Sequence, residues 1–342
     1  MKIVFLGSLA DLSASSTQRL WALKQCHAEV FAIDRDQYKS PFGRFAGHLA
    51  RVLQQPRLLY DTAKIERDLL LTCKQISPDI IWIEWPREVS FSTLQQLQKL
   101  WPRPFIISFQ DDNPWGDRND TWQWKEYFKN VKYFDLHLVK RPSDIQNIKK
   151  LGAKNCRYWH HGIYSPLFYP SKEHTSYQYP VIFIGTCMDN RSNFIEFLLE
   201  AGLPIHVFGN GWIKHAFKLV KRFPNNFHPA VVGKSYADTI RSSLVSLIMV
   251  SESNHDEWTM RSYEVPGCGI APLAYDTSTH RQMFSEGTTG FFFKDAQSCL
   301  STITGLIDNP NLCKQVGVAV EQDFQHRNWR IEARMEELLK QL

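Results

Sequence analysis

The 342-residue chain has no uninterrupted apolar run of roughly 18 residues, which excludes a membrane-spanning helix. Its opening, MKIVFLGSLADLSASS, has one Lys and a short apolar run that stops at Gly7. It lacks the longer apolar stretch and the cleavage site of a secretory signal, so a first strand and loop are expected there. Cysteine is sparse: seven residues stand singly, at 26, 73, 156, 187, 268, 299 and 313. None has CxxC spacing, which excludes the usual structural zinc framework. An odd, dispersed set in a chain of this size points to reduced thiols and a cytoplasmic compartment. No GxGxxG follows the first strand, so there is no dinucleotide fingerprint. The formal net charge of +5 is too small to mark a nucleic-acid binder. It suits an anionic ligand or an anionic membrane surface.

What is present is a large apolar fraction, 43%, in a chain long enough for two packed domains. Aromatics make up 13% and include eleven Trp, which must line cores or clefts. Strands and helices alternate throughout. KIVFLG reads as a buried strand, Ser16 to Cys26 as a helix, and EVFAID as a second strand, which together make a βαβ unit. Gly7, Ser8 and Ser15–Ser16–Thr17 either supply donors to a ligand at a helix N-terminus or only cap the helix. From Tyr38 to Gln75 a basic, amphipathic stretch divided at Pro56 predicts two helices. These form a solvated pair, one face of a cleft, or a surface for a membrane or a lipid-linked acceptor.

The strand DIIWIE, a helix from Ser92 to Leu100 and the strand PFIISFQ follow. The last ends in Asp111-Asp112-Asn113-Pro114. A carboxylate just past a strand end suits a general base, although Asp, Asn and Pro also start turns. After a Trp-rich helix (Asp120 to Asn130), strand FDLHLV, helix PSDIQNIKKLG and strand CRYWHHG, the segment HHGIYSPLFYPS reads as a connector between domains. His160 and His161, if on a strand, point to opposite faces and share no metal.

The second half repeats the pattern. Gly185, Gly209 and Gly233 each follow a strand-like run, where glycine lets a ligand approach the backbone. Arg191, Lys234 and Arg261 put three cations near strand ends, as an anion site such as one for a diphosphate requires. Between strands SLVSLIMV and GIAPLAY lies WTMRSYEVPGCG. It predicts a short helix from Thr259 to about Val265, with Arg261 and Glu264 on one face and Pro266–Gly267 breaking it. That pair is either surface decoration or part of a site at the carboxyl ends of parallel strands. Helices from Ser278, from Ala296 and from about Asn328 to Leu342 close the chain.

The block RSYEVPGCGIAPLAYDTSTHRQMFSEGTTGFFF resembles the group 1 glycosyltransferases of the glycosyltransferase-B (GT-B) superfamily, in their CgeB-like branch. HGIYSPLFYP, VIFIGTCMDNR, IHVFGNGW and FQDDNP agree in order. The resemblance implies an α/β fold of two Rossmann-like domains facing across a cleft. An acceptor-side domain would cover 1–170 and a donor domain 171–325, with a terminal helix, 326–342, packing back toward the first. It implies metal-independent transfer of a sugar from a nucleotide-diphosphate donor, without a further cofactor or nucleic-acid partner. The acceptor could be a glycan, a lipid-linked sugar, a small molecule or a protein, with peripheral membrane contact. By the same resemblance Glu264 takes the ribose hydroxyls, and Arg261 with Lys234 or Arg191 balances the diphosphate. Gly185, Thr186, Gly209, Tyr236, Asn254, Asp256 and Ser262 complete the donor set. Glu257 stands beside Asp256 where many group 1 enzymes have a second Glu. Asp112 leads the candidates for the catalytic carboxylate, then Asp111, with His161 third. A nonhydrolysing nucleotide-sugar epimerase and a non-catalytic assembly subunit share this architecture.

Overall fold

The computed structural model describes residues 1–9, 11–41, 43–171 and 177–342. The chain divides into two compact units. Unit 1 comprises Met1–His160, Ser253–His255 and Met335–Leu342; unit 2 comprises His161–Glu252 and Asp256–Arg334. Limits were expected at 170/171 and 325/326; the units divide at His160/His161 and Arg334/Met335, with Ser253–His255 joining unit 1. Residues 172–176, at the start of the expected donor domain, lie outside the described residues.

Unit 1 holds six parallel strands: β1 Lys2–Gly7, β2 Glu29–Asp34, β3 Ile80–Glu84, β4 Phe105–Gln110, β5 Leu136–Val139 and β6 Cys156–Tyr158, in the order β2-β1-β3-β4-β5-β6. Unit 2 holds six more: β7 Tyr179–Ile184, β8 Ile205–Phe208, β9 Phe227–His228, β10 Ser243–Ile248, β11 Ala271–Tyr275 and β12 Phe291–Phe293, in the order β12-β11-β10-β7-β8-β9. All pairings are parallel, which is why the strands read as unbroken apolar runs: helices cover both faces. β3 and β10 are buried at every residue. The strand order reverses between β1 and β3 in one sheet and between β7 and β10 in the other. In open parallel sheets, ligands bind outside the carboxyl ends at such points.

Several local expectations need correcting. The helix of the RSYEVPG segment runs Arg261–Gly267 and contains Pro266 instead of ending before it. A proline removes one N–H from the ladder, and in a seven-residue helix only one such bond is at stake. The Cys268 N–H closes the turn onto the Glu264 and Val265 carbonyls. His160 and His161 lie beyond the end of β6, so strand alternation does not govern them. The basic run KHAFKLVKRF, whose composition predicts one helix, is divided between two short ones, Trp212–His215 and Phe217–Arg222, broken at Ala216. The two-residue β9 and the long helix Pro310–His326 had no counterpart in the pattern.

The stretch from Tyr38 forms helices Gly43–Leu53 and Thr62–Ile76, with Pro56 in a turn between them. On the first, Phe45, Val52 and Leu53 are exposed. Residue 42 of this stretch lies outside the described residues. Much of the tryptophan is core: Trp82, Trp124 and Trp258 are fully buried.

Candidate functional site

Unit 2 gathers charge at the reversal between β7 and β10. Arg191 opens the helix Arg191–Glu200 after β7 and is buried. Its Nη1 donates to the Thr186 carbonyl and its Nη2 to the Val250 carbonyl, each at 3.0 Å. One guanidinium therefore ties the loop after β7 to the loop after β10. Across the same loops the Asp189 carboxylate accepts from the Ser251 hydroxyl and the Glu252 N–H, both at 3.1 Å. Asp189 adopts positive φ, +53°, a strained geometry that such contacts hold in place. Burial, followed by the nearby Arg261 charge, lowers the Arg191 pKa to about 10.

The helix Arg261–Gly267 places Glu264 against the helix Gly233–Arg241. Glu264 is 2% exposed, and its Oε2 accepts a short hydrogen bond from the Tyr236 hydroxyl. Its Oε1 makes no hydrogen bond to a described residue. Burial raises the carboxyl pKa to about 7, against the Arg261 charge and the Tyr236 hydrogen bond, which favour ionisation. Burial also opposes the charge on Arg261, but Tyr236, Glu264 and Asp256 outweigh it, and the guanidinium stays firmly protonated. Surface decoration is therefore excluded for Glu264: a carboxylate at this depth needs partners. An ionised carboxylate only accepts hydrogen bonds, so its remaining oxygen suits a hydroxyl-bearing ligand.

The other expected donor residues are spread more widely. Lys234 and Thr186 are exposed, and Asp256 is buried within the loop after β10. Gly209 has φ +151°, and a Cβ there would lie 2.2 Å from the Gly185 carbonyl oxygen. Close packing of two loops demands that glycine. Ser262 is buried, accepts from the Thr259 N–H at 3.0 Å and lies 2.8 Å from His280 Nε2. Glu257 accepts from the Ser278 hydroxyl at 2.7 Å. His161 is fully buried, with its ring centroid 6.3 Å from that of Tyr263.

Unit 1 separates the two acidic candidates. Asp112 Oδ1 accepts from Arg118 Nη1 at 3.0 Å and from Asn254 Nδ2 at 3.3 Å. Asn254, expected among the donor residues, thus belongs to unit 1, where its carbonyl also accepts from Asn113 Nδ2 at 3.1 Å. Asp111 Oδ2 accepts from the Ser15 hydroxyl at 2.8 Å and from Arg19 Nη2 at 3.1 Å. Arg19 is buried and forks onto Glu84, with Nε–Oε1 at 2.8 Å and Nη2–Oε2 at 2.6 Å. Neither Arg19 nor Glu84 stood out in the sequence. The available signal was one charge in a helix that buries Leu20, Ala22 and Leu23 and one at the end of the apolar run IIWIE. Among the described residues no group of three or more His, Cys, Asp or Glu could hold a metal ion.

Comparison with known proteins bears on unit 2 most directly. Residues 191–340 match the family model described as glycosyl transferase-like. That span contains Arg191, Tyr236, Arg261 and Glu264. Sucrose-phosphate synthase of Thermosynechococcus elongatus superposes with a TM-score of 0.71 at 13% identity, covering 100% of this chain and 98% of that one. A glycosyltransferase of Rickettsia africae ESF-5 gives 0.67 at 11%, covering 99% and 97%. HepE of Anabaena, solved in complex with UDP and glucose, gives 0.65 at 12%, covering 100% of both. No curated protein matches the chain in sequence. At these identities the likeness is one of fold: two parallel six-stranded sheets with helices, the GT-B architecture.

Proposed function

We propose that the chain is a glycosyltransferase that moves a sugar from a nucleotide-diphosphate donor to an acceptor hydroxyl. The carrying observation is the buried Glu264, bonded to Tyr236 on one oxygen only and within electrostatic reach of Arg261, inside the span that matches the glycosyl transferase-like family. In this reading the Glu264 carboxylate accepts the ribose hydroxyls. Arg261 and Lys234 face the diphosphate, while Arg191 holds the β7 and β10 loops in register and adds positive potential. The acceptor oxygen forms the new bond to the anomeric carbon, and its proton passes to a carboxylate, Asp112 or Asp111. The diphosphate leaves with the electron pair of the broken bond. Fixed guanidiniums stabilise that developing charge, so the reading calls for no metal ion. HepE, solved with UDP and glucose, supports UDP as the first donor to try. The resemblance to the CgeB-like branch belongs to the same proposal.

Seven free thiols support a reducing, cytoplasmic compartment. The exposed Phe45, Val52 and Leu53, with Arg51 among them, support peripheral membrane contact. No helix among the described residues is long and apolar enough to cross a membrane.

A thermal-shift series with UDP, GDP and TDP tests the donor site. A ligand that binds only the folded chain must raise its melting temperature. One of the three is expected to do so, and a flat response to all three would remove the donor reading. Incubating the matching sugar nucleotide without acceptor then separates transfer from epimerisation: an epimerised donor would overturn the transferase assignment.

A further inference from the structure

Unit 1 has a cavity of about 590 Å³ among the helix Gly43–Leu53, the turn after β3 and the helix Lys125–Asn130. Small-molecule sites span ~300–1,000 Å³. None of the residues assigned above to donor or acceptor chemistry lines it. Arg87, three residues past β3, does line it and is 7% exposed. Trp85 turns the chain toward it at φ +51°, a costly backbone for a bulky side chain. The guanidinium carbon of Arg87 lies 4.6 Å from the Trp85 ring centroid and 5.5 Å from that of Trp124. Ring faces attract the cation but accept none of its in-plane N–H groups. Glu88 Oε1 stands 3.5 Å from Nε, and no hydrogen bond joins the Arg87 side chain to a described residue. Neither Nη atom is sealed from solvent, and the cavity is the space they open on. Arginine is almost never this deeply buried unless paired, so this one marks a place for an anion.

The neighbouring charges agree. Lys125 and Lys129 line the same cavity. Lys125 Nζ donates to the neutral Gln54 Oε1 at 2.7 Å, and Lys129 Nζ to Glu126 Oε1 at 2.8 Å. Glu88 is shared with Arg35, whose Nη1 stands 3.4 Å from its Oε2. Two carboxylates thus face four cations, and positive charge is in excess. Another part of the wall is apolar. The helix Gly43–Leu53 buries its small side chains, Ala46 and Ala50, and leaves Val52 and Leu53 exposed on the cavity. A phosphate offers acceptor oxygens in several directions, enough for a guanidinium edge and two ammoniums. We infer that this cavity binds a phosphate-bearing amphiphile, its phosphate against Arg87, Lys125 and Lys129 and its apolar chain along Val52 and Leu53. Such a molecule comes either from a bilayer, as a phospholipid headgroup and its chain, or free in solution. Neither Arg87 nor the lysines belong to the donor set, so the site stands whether or not unit 2 takes a nucleotide.

Isothermal titration into the full chain tests it with three probes below their micelle concentrations: dihexanoyl phosphatidic acid, dihexanoyl phosphatidylcholine and inorganic phosphate. The phosphatidic acid is expected to bind at least about tenfold more tightly than either other probe, since one lacks net charge and the other lacks the chain. Arg87→Gln is expected to weaken it roughly tenfold, as the loss of a charge-assisted hydrogen bond does. Lys125→Gln and Leu53→Ser change only exposed side chains, and each is expected to cost about threefold. If Arg87→Gln does not fold, these two carry the comparison. No binding of the phosphatidic acid, equal binding of either other probe, or unchanged affinity in the folded variants would overturn the inference. Flotation with phosphatidylcholine vesicles, with and without phosphatidic acid, separates the sources. Capture by the acidic vesicles alone, reduced in Leu53→Ser, assigns a bilayer; binding of the soluble probe without capture assigns a free amphiphile. Capture without binding of the soluble probe would overturn the cavity as the site. UDP stabilisation is measured on the same samples. A chain that takes UDP but no phosphatidic acid loses this site and keeps the donor reading; the opposite result removes the donor reading alone.

Discussion

Glu264 shows how a single side chain can carry a titratable function. Burial lifts its carboxyl to about 7, from an ordinary value near ~4.3. Between those values the folded chain holds a proton that the unfolded chain has released. Its contribution to stability is therefore full below the unfolded value and is lost as pH rises through about 7. Nucleotide binding should run the other way, because the ionised form accepts ribose hydroxyls. UDP affinity is expected to be about tenfold weaker at about pH 6 than at about pH 8.5, and calorimetry on Glu264→Gln should show that slope gone. Tyr236→Phe removes a hydrogen bond that favours the ionised carboxyl, so the midpoint should move to higher pH. In unit 1, Glu84→Ala removes the bidentate partner of the buried Arg19 and leaves it Asp111 alone among carboxylates, which should cost about 3 kcal/mol in denaturant unfolding. Of these residues Glu264 was legible in the sequence, since its neighbours form a dense block. Arg19 and Glu84 were not: they stand 65 positions apart, and only the sheet brings them together.

At the scale of elements, parallel strands were the easiest to read, because a strand covered on both faces must be apolar along its length. Helix limits were harder. Pro266 suggested an end, but tertiary packing carried the helix through it to Gly267, where a Cβ would lie 2.7 Å from Ile163 Cγ2. β9 was missed because two residues carry no periodicity. Glycines after strands drew attention for ligand approach, yet Gly209 is explained by the Gly185 backbone packed against it. Gly209→Ala should accordingly destabilise the chain by ~1–3 kcal/mol, read as a lower denaturation midpoint with an unchanged slope. Gly233 has open space around it, so substitution there should cost only what its φ of +55° imposes.

At the scale of the molecule, two parallel six-stranded sheets supply two reversals of strand order, each with a buried arginine near it. Unit 2 ties its reversal together with Arg191 and adds Arg261, Tyr236 and Glu264. Unit 1 lines its own with Arg19, Glu84 and Asp111. The first of these is the proposed seat of the nucleotide diphosphate. The most direct measurement is isothermal titration of UDP into the wild-type chain and into Glu264→Ala at about pH 8.5, with unfolding curves confirming that both are folded. The wild type is expected to bind and the variant, equally folded, to bind at least about tenfold more weakly, through the loss of charge-assisted hydrogen bonds to the ribose. Equal affinity in a folded Glu264→Ala would contradict the donor reading and leave Glu264 as a packing partner of Tyr236.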